Sequence, residues 1–215
     1  MKHHIFKTVL CFSLLFAVPT LSHADDHWQF QNNKHYRIIS TVENMTAEQQ
    51  RIEVVEVFAY SCNHCFNFET YLDQFEKSKA DYIDFKKMPV VFNDAYKTHA
   101  RIYYTAESLG NLDVMHRKIF KAMHLDRKSL TDENEIYQLF AEQGISKQQF
   151  LSRFRSFTVE SKVNRAQRLT SKYKIRSTPT MVINGKYTAN GTAVRTFEDM
   201  LAVAKELAER EFLSQ

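Results

Sequence analysis

The stretch Val54-Val55-Glu56-Val57-Phe58-Ala59-Tyr60 is apolar at every position but Glu56, and it ends two residues before Cys62-Asn63-His64-Cys65. Residues 52–59 therefore read as a strand buried on both faces, because a half-exposed strand would alternate apolar with polar residues. Past the cysteines the spacing changes. Cys65, Phe68, Leu72 and Phe75 recur at helical period, so a helix is expected from 62 to about 79. A further strand falls within residues 82–92, with Pro89 near its end. Strand, helix and strand in that order make a β–α–β unit with a parallel pair, which sets the class as α/β.

The rest of the chain divides cleanly. From 94 to 174 almost everything has helical period, with apolar stripes at Leu112, Met115, Ile119 and Met123, at Ile136, Leu139 and Phe140, and at Phe150, Leu151 and Phe154. Ser146 and Gln149 have capping-box spacing. Gly110 and Gly144 each close a helical pattern. Residues 35–41 read as an edge strand. Asn184-Gly185 between Met181-Val182-Ile183 and Lys186-Tyr187-Thr188 reads as a tight hairpin. A last amphipathic helix follows Thr196, with Asp199 as its capping partner. The expected organisation is an α/β domain of residues 25–93 and 175–215, interrupted by a helical insertion of residues 94–174.

Residues 1–24 have the form of a secretory signal. Lys2 and Lys7 precede or flank an apolar run, and Ser22-His23-Ala24 places small residues where a signal peptidase reads, so cleavage is expected after Ala24. Without Lys2 and Lys7 the 29 basic residues fall to 27 against 25 acids, a formal charge of +2. That near-neutral balance gives no case for nucleic-acid binding. Cys11 leaves with the signal, so Cys62 and Cys65 remain as the only cysteines. A secreted chain stapled by disulfides carries several pairs, and a loop this short stabilises little, so this pair is expected to work rather than to brace. A zinc site would need a second close pair of ligands, and the sequence offers none at suitable spacing.

Two cysteines three residues apart at a helix start lie on neighbouring positions of one face. The stripe through Cys65 points inward, which leaves Cys62 at the exposed start as the attacking thiolate and Cys65 as the buried resolving thiol. Unpaired N–H groups at the helix start, and His64 as cation or hydrogen-bond donor, are expected to lower the pKa of Cys62. A stabilised thiolate favours the reduced form and makes the disulfide an oxidant.

Three further features bear on the pair. Thr178-Pro179-Thr180 stands at a strand entrance, where spacing alone leaves a cis bend and an ordinary trans turn equally open. Glu56 interrupts a buried strand: either it faces an edge, or it is buried with a polar partner, and Lys86 and Lys87 on the next strand are the obvious ones. A buried acid there could exchange a proton with the resolving thiol. Glu69, further along the helix, reads as a surface carboxylate that could modulate the site. A basic run from Lys147 to Arg176 reads as a solvated helix face, with a weak electrostatic role toward a membrane or an acidic partner as the alternative.

Together, the approach Glu56-Val57-Phe58-Ala59-Tyr60-Ser61, the Cys62-Asn63-His64-Cys65 motif, the helical insertion and the segment Arg176-Ser177-Thr178-Pro179-Thr180-Met181-Val182-Ile183-Asn184-Gly185-Lys186-Tyr187 resemble the DsbA family of bacterial periplasmic thiol–disulfide oxidases. The resemblance spans essentially the whole chain after the signal. It implies a thioredoxin fold with an inserted all-helical domain. It implies that Pro179 is cis and faces the disulfide, with Thr178 contacting Cys62 and substrate backbone. It implies a buried Glu56–Lys87 pair below Cys65, with Lys86 as the fallback. No bound cofactor or metal is implied; reoxidation would come from a DsbB-like quinone-linked membrane protein. Two positions depart: Asn63 stands where the best-known members have proline, and Thr178 where they have valine.

The expected function is that of a monomeric protein in the periplasm of a Gram-negative bacterium, donating its Cys62–Cys65 disulfide to unfolded secreted proteins. Threonine at 178 is more usual in the isomerases and reductases of the superfamily, which keeps that direction of exchange as the alternative. A secreted binding module or chaperone with an incidental dithiol is the reading from another class.

Overall fold

The computed structural model describes residues 28–39 and 51–215. The expected signal at residues 1–24 and the end of the expected 35–41 strand lie outside the described residues.

Five strands form one mixed sheet: β1 (Arg37–Ile38), β2 (Ile52–Phe58), β3 (Ile83–Pro89), β4 (Thr180–Ile183) and β5 (Tyr187–Thr188), in spatial order β1-β5-β4-β2-β3. β2 pairs parallel with β3 and antiparallel with β4. Helix α1 (Asn63–Ser78) makes the crossover that a parallel pair requires. β2 is an inner strand buried on both faces, which is why its sequence does not alternate. Ile52 and Val54 pack with Phe68, Leu72 and Phe75 of α1 and with the carboxy-terminal helix. Val55, Val57 and Phe58 pack on the opposite side, against the helical insertion.

That insertion is α2 (Asp94–Ser108), α3 (Leu112–His124), α4 (Glu133–Ala141), α5 (Lys147–Phe154) and α6 (Phe157–Lys172), all between β3 and β4. Its stripes become core: Met115, Ile119, Ile136, Phe140 and Phe150 are fully buried. Ser146 and Gln149 form a reciprocal capping box at α5, and Thr196 and Asp199 do the same at the final helix, α7 (Phe197–Leu213). At the β4–β5 hairpin Asn184 and Gly185 both adopt positive φ, and Lys186 N–H closes the turn on the Ile183 carbonyl at 2.9 Å.

The basic run does not stand free throughout. Glu160 takes both Arg101 and Lys97 of α2, Lys162 pairs with Glu107, and Arg155 pairs with Glu133. Several of these charges thus tie the inserted helices to one another.

Phe68 is fully buried where α1 meets the sheet and stacks on Phe197 of α7, 4.8 Å between ring centroids. Phe68→Ala is expected to destabilise the protein by about 3–5 kcal/mol, because the cavity at a helix–sheet contact can collapse only partly. Urea denaturation of the reduced protein checks this, and a loss below about 1 kcal/mol would show that the contact carries little.

Candidate active site

Cys62 is the N-cap of α1, one residue ahead of the first helical position. Its extended backbone turns the side chain back over the helix start, and its sulfur accepts a hydrogen bond from Cys65 N–H at 3.2 Å. Both cysteines are thiols here, Cys62 half-buried and Cys65 fully buried. Across the site the Thr178–Pro179 bond is cis, and the Cys62 thiol donates to the Thr178 carbonyl at 3.4 Å.

The two thiols are strongly unequal. The Cys65 thiol donating to Cys62, then the Thr178 side chain and the backbone N–H groups of Cys65 and His64, outweigh partial burial and lower the pKa of Cys62 from 9.0 to about 5. Burial above all pushes the Cys65 thiol far up, and the neighbouring charges of Glu56 and Cys62 push it further. His64 acts on Cys62 through its backbone. The imidazole itself is exposed and lies edge-on to Phe197, with ring centroids 6.5 Å apart. The expected hydrogen bond from the imidazole to Cys62 is not made, and the reason is geometric: a helix start presents N–H groups to its cap, while side chains splay outward.

The expected Glu56–Lys87 pair is also corrected. Register does place Glu56 opposite Lys87 on the parallel strands, so both side chains share a face. The lysine nevertheless reaches past it, and Nζ lies 2.6 Å from Glu69 Oε2. Among the described residues, neither carboxyl oxygen of the buried Glu56 has a hydrogen-bond partner. Burial therefore holds Glu56 well above the usual carboxylate range, although the Lys87 charge opposes this. Lys86 is not the fallback, since it faces outward and pairs with Glu53 and Asp84.

Glu69 is no surface carboxylate: its side chain is only 15% exposed. Although burial opposes it, His116 and Lys87 hold its pKa below the usual range. From the sequence His116 is only one of the scattered histidines without metal-ligand spacing. It sits on α3, fully inside, with Nδ1 2.9 Å from the Tyr60 hydroxyl and Nε2 3.2 Å from Glu69 Oε1. The available signal was its place beside Met115 and Ile119, on the buried face of an amphipathic helix. His124, about two helical turns further, reaches the Tyr60 carbonyl at 2.8 Å and stacks on Phe66 beside the cysteines.

A mixed sheet, a dithiol at the start of its crossover helix and a cis-proline opposite define a thioredoxin-fold dithiol protein, and the five-helix insertion narrows the class. Residues 53–202 match the DSBA-like thioredoxin domain family. A thiol:disulfide interchange protein DsbA from Pseudomonas aeruginosa is 32% identical over 212 residues, 98% of this chain and 97% of that protein. The protein of the same name from Azotobacter vinelandii is 31% identical over the full length of both. The crystal structure of Pseudomonas aeruginosa DsbA superposes with a TM-score of 0.79 at 29% identity, over 86% of this chain and 96% of that one. That of the Xylella fastidiosa oxidoreductase DsbA gives 0.77 at 29%, over 84% and 97%. The chain belongs to the DsbA-like thioredoxin family and is a thiol–disulfide oxidoreductase.

Proposed function

We propose that the protein forms disulfides in newly secreted proteins of a Gram-negative periplasm, with Cys62 as the exchanging sulfur. The observation that carries this direction is the low pKa of Cys62, about 5. At pH 7 a fall from 9.0 to about 5 raises the thiolate fraction roughly 100-fold, but a Brønsted slope of about 0.4–0.5 costs roughly 40- to 100-fold in nucleophilicity. The two effects nearly cancel for attack by Cys62. What remains is its quality as a leaving group, and that favours releasing an oxidised substrate and keeping the pair reduced.

A substrate thiolate attacks Cys62 of the Cys62–Cys65 disulfide. The S–S bond breaks toward Cys65, which takes up a proton because its thiol pKa is so high; the protonated Glu56 is the nearby acid that supplies it. A second substrate thiolate then attacks the substrate sulfur of the mixed disulfide, and Cys62 leaves as thiolate. Two substrate thiols have become one disulfide, and the two electrons rest on the protein. The cis-Pro179 segment, with Thr178, offers backbone to the substrate beside the mixed disulfide. Reoxidation falls to a DsbB-like quinone-linked membrane partner, and the signal at 1–24 delivers the chain to the compartment where that partner works. The working unit is a monomer.

The test is the equilibrium of the pair with glutathione. The expected potential lies well above that of the cytosolic glutathione pool, about −220 to −260 mV. A value near that of thioredoxin, about −270 mV, would assign the protein to reduction instead.

A further inference from the structure

We propose that His116, contributed by the helical insertion, is a positioning residue for the dithiol: it fixes Glu69 so that this carboxylate takes Lys87 and leaves Glu56 without a hydrogen-bonded cation. Strand register makes Glu56 the partner nearest to hand for Lys87, since the two residues stand opposite on β2 and β3. Lys87 instead bonds Glu69 at 2.6 Å, and Glu56 keeps two unpartnered oxygens. Something must hold Glu69 in place for that choice to persist.

The cluster supplies it. His116 is wedged among aromatic edges, with ring centroids 5.0 Å from Phe58, 5.3 Å from Tyr60 and 5.0 Å from Phe120. Tyr60 is buried, which keeps its phenol protonated, and its hydroxyl lies 2.9 Å from Nδ1. Burial also favours the neutral imidazole. Nε2 lies 3.2 Å from Glu69 Oε1 and 3.4 Å from Lys87 Nζ, so the ring sits at the junction of the Lys87–Glu69 pair and packs against both partners. Glu69 has an alternative position, because a cavity of about 250 Å³ opens beside it, lined by Asp73, Lys87, His116 and Arg117 among others. The charged and titratable groups acting on this histidine are Tyr60 from the turn after β2, Glu69 from α1, Lys87 from β3, Tyr103 from α2 and Arg117 on its own helix.

Without His116, Glu69 rotates into the cavity and Lys87 returns to its register partner. Glu56 then ionises. Its charge acts on both Cys62 and Cys65, and it opposes the Cys62 thiolate. The helical insertion thus tunes the dithiol from behind, through one side chain, and makes the pair more oxidising than the sheet alone would. This rests on Cys62–Cys65 being the exchanging pair, not on the direction of exchange.

The experiment measures the glutathione equilibrium and the ultraviolet titration of the Cys62 thiolate on the purified full-length protein. His116→Phe is expected to shift the equilibrium roughly three- to tenfold toward the disulfide and to raise the Cys62 titration. His116→Gln, whose amide can still donate to Glu69, should restore the wild-type equilibrium within about twofold. In a Glu56→Gln background the His116→Phe shift should vanish. An unchanged equilibrium in His116→Phe, or a shift that persists undiminished beside Glu56→Gln, overturns the proposal. Should His116→Phe fail to fold, Glu69→Gln removes the rival carboxylate directly. It must produce the same shift, again only when Glu56 is present, and no shift there equally overturns the proposal. The equilibrium is measurable whichever way the protein runs exchange, so failure of the oxidase reading is a separate result.

Discussion

Cys62→Ser should reduce oxidation of a dithiol peptide to the uncatalysed background, a loss of at least ~10³-fold, because a hydroxyl cannot enter thiol–disulfide exchange. Cys65→Ser should differ in kind. Cys62 remains acidic enough to form a mixed disulfide, and the buried partner that would resolve it is gone, so covalent adducts should accumulate on a non-reducing gel. The separation follows from the geometry: Cys62 is half-buried at the helix cap and open to a second chain, whereas Cys65 is fully enclosed. Residual turnover in Cys62→Ser would move the chemistry away from the helix cap altogether.

The second large effect is on pH. With Cys62 at about 5 and Cys65 far above neutrality, reduction takes up two protons below pH 5 and one above it. The midpoint potential should therefore fall by about 59 mV per pH unit below pH 5 and by only about 30 mV per unit above it. Stability follows the same linkage. The folded-state pKa of Cys62 is depressed, so its contribution to the reduced protein is fully present above the unfolded-state value near 9 and is lost as pH falls through about 5. The disulfide form has no such thiol. The advantage of the reduced over the oxidised protein should thus grow between pH 5 and pH 9, as paired urea titrations will show. A break in the potential near pH 9 instead would mean that Cys62 titrates as an ordinary thiol.

Much of this protein is local in origin, and that part was legible. Apolar continuity at β2, the stripe of α1, the caps at Ser146 and Thr196, and the Asn184-Gly185 turn each depend on residues within one element. So does the inequality of the cysteines, since helical spacing alone turns Cys65 inward and leaves Cys62 at the N-cap. What could not be read is who partners whom among the charges. Glu56 and Lys87 are neighbours by register, and sequence reasoning paired them for that reason. Glu69 looked exposed because α1 was judged from its own stripe, with no knowledge that α3 would cover its flank.

By itself, then, the sequence determined the dithiol, its polarity, the α/β class and the family. The tertiary structure decided how the polar groups behind the dithiol are shared. A lysine ammonium on a long stem can reach either of two carboxylates, and the choice turns on a distance set by the packing of a helix roughly fifty residues away in the chain. That helix brings His116 to Glu69 and leaves Glu56 buried without a hydrogen-bonded cation. Desolvation then favours the protonated form of Glu56, an outcome that no reading of residue types along one strand contains.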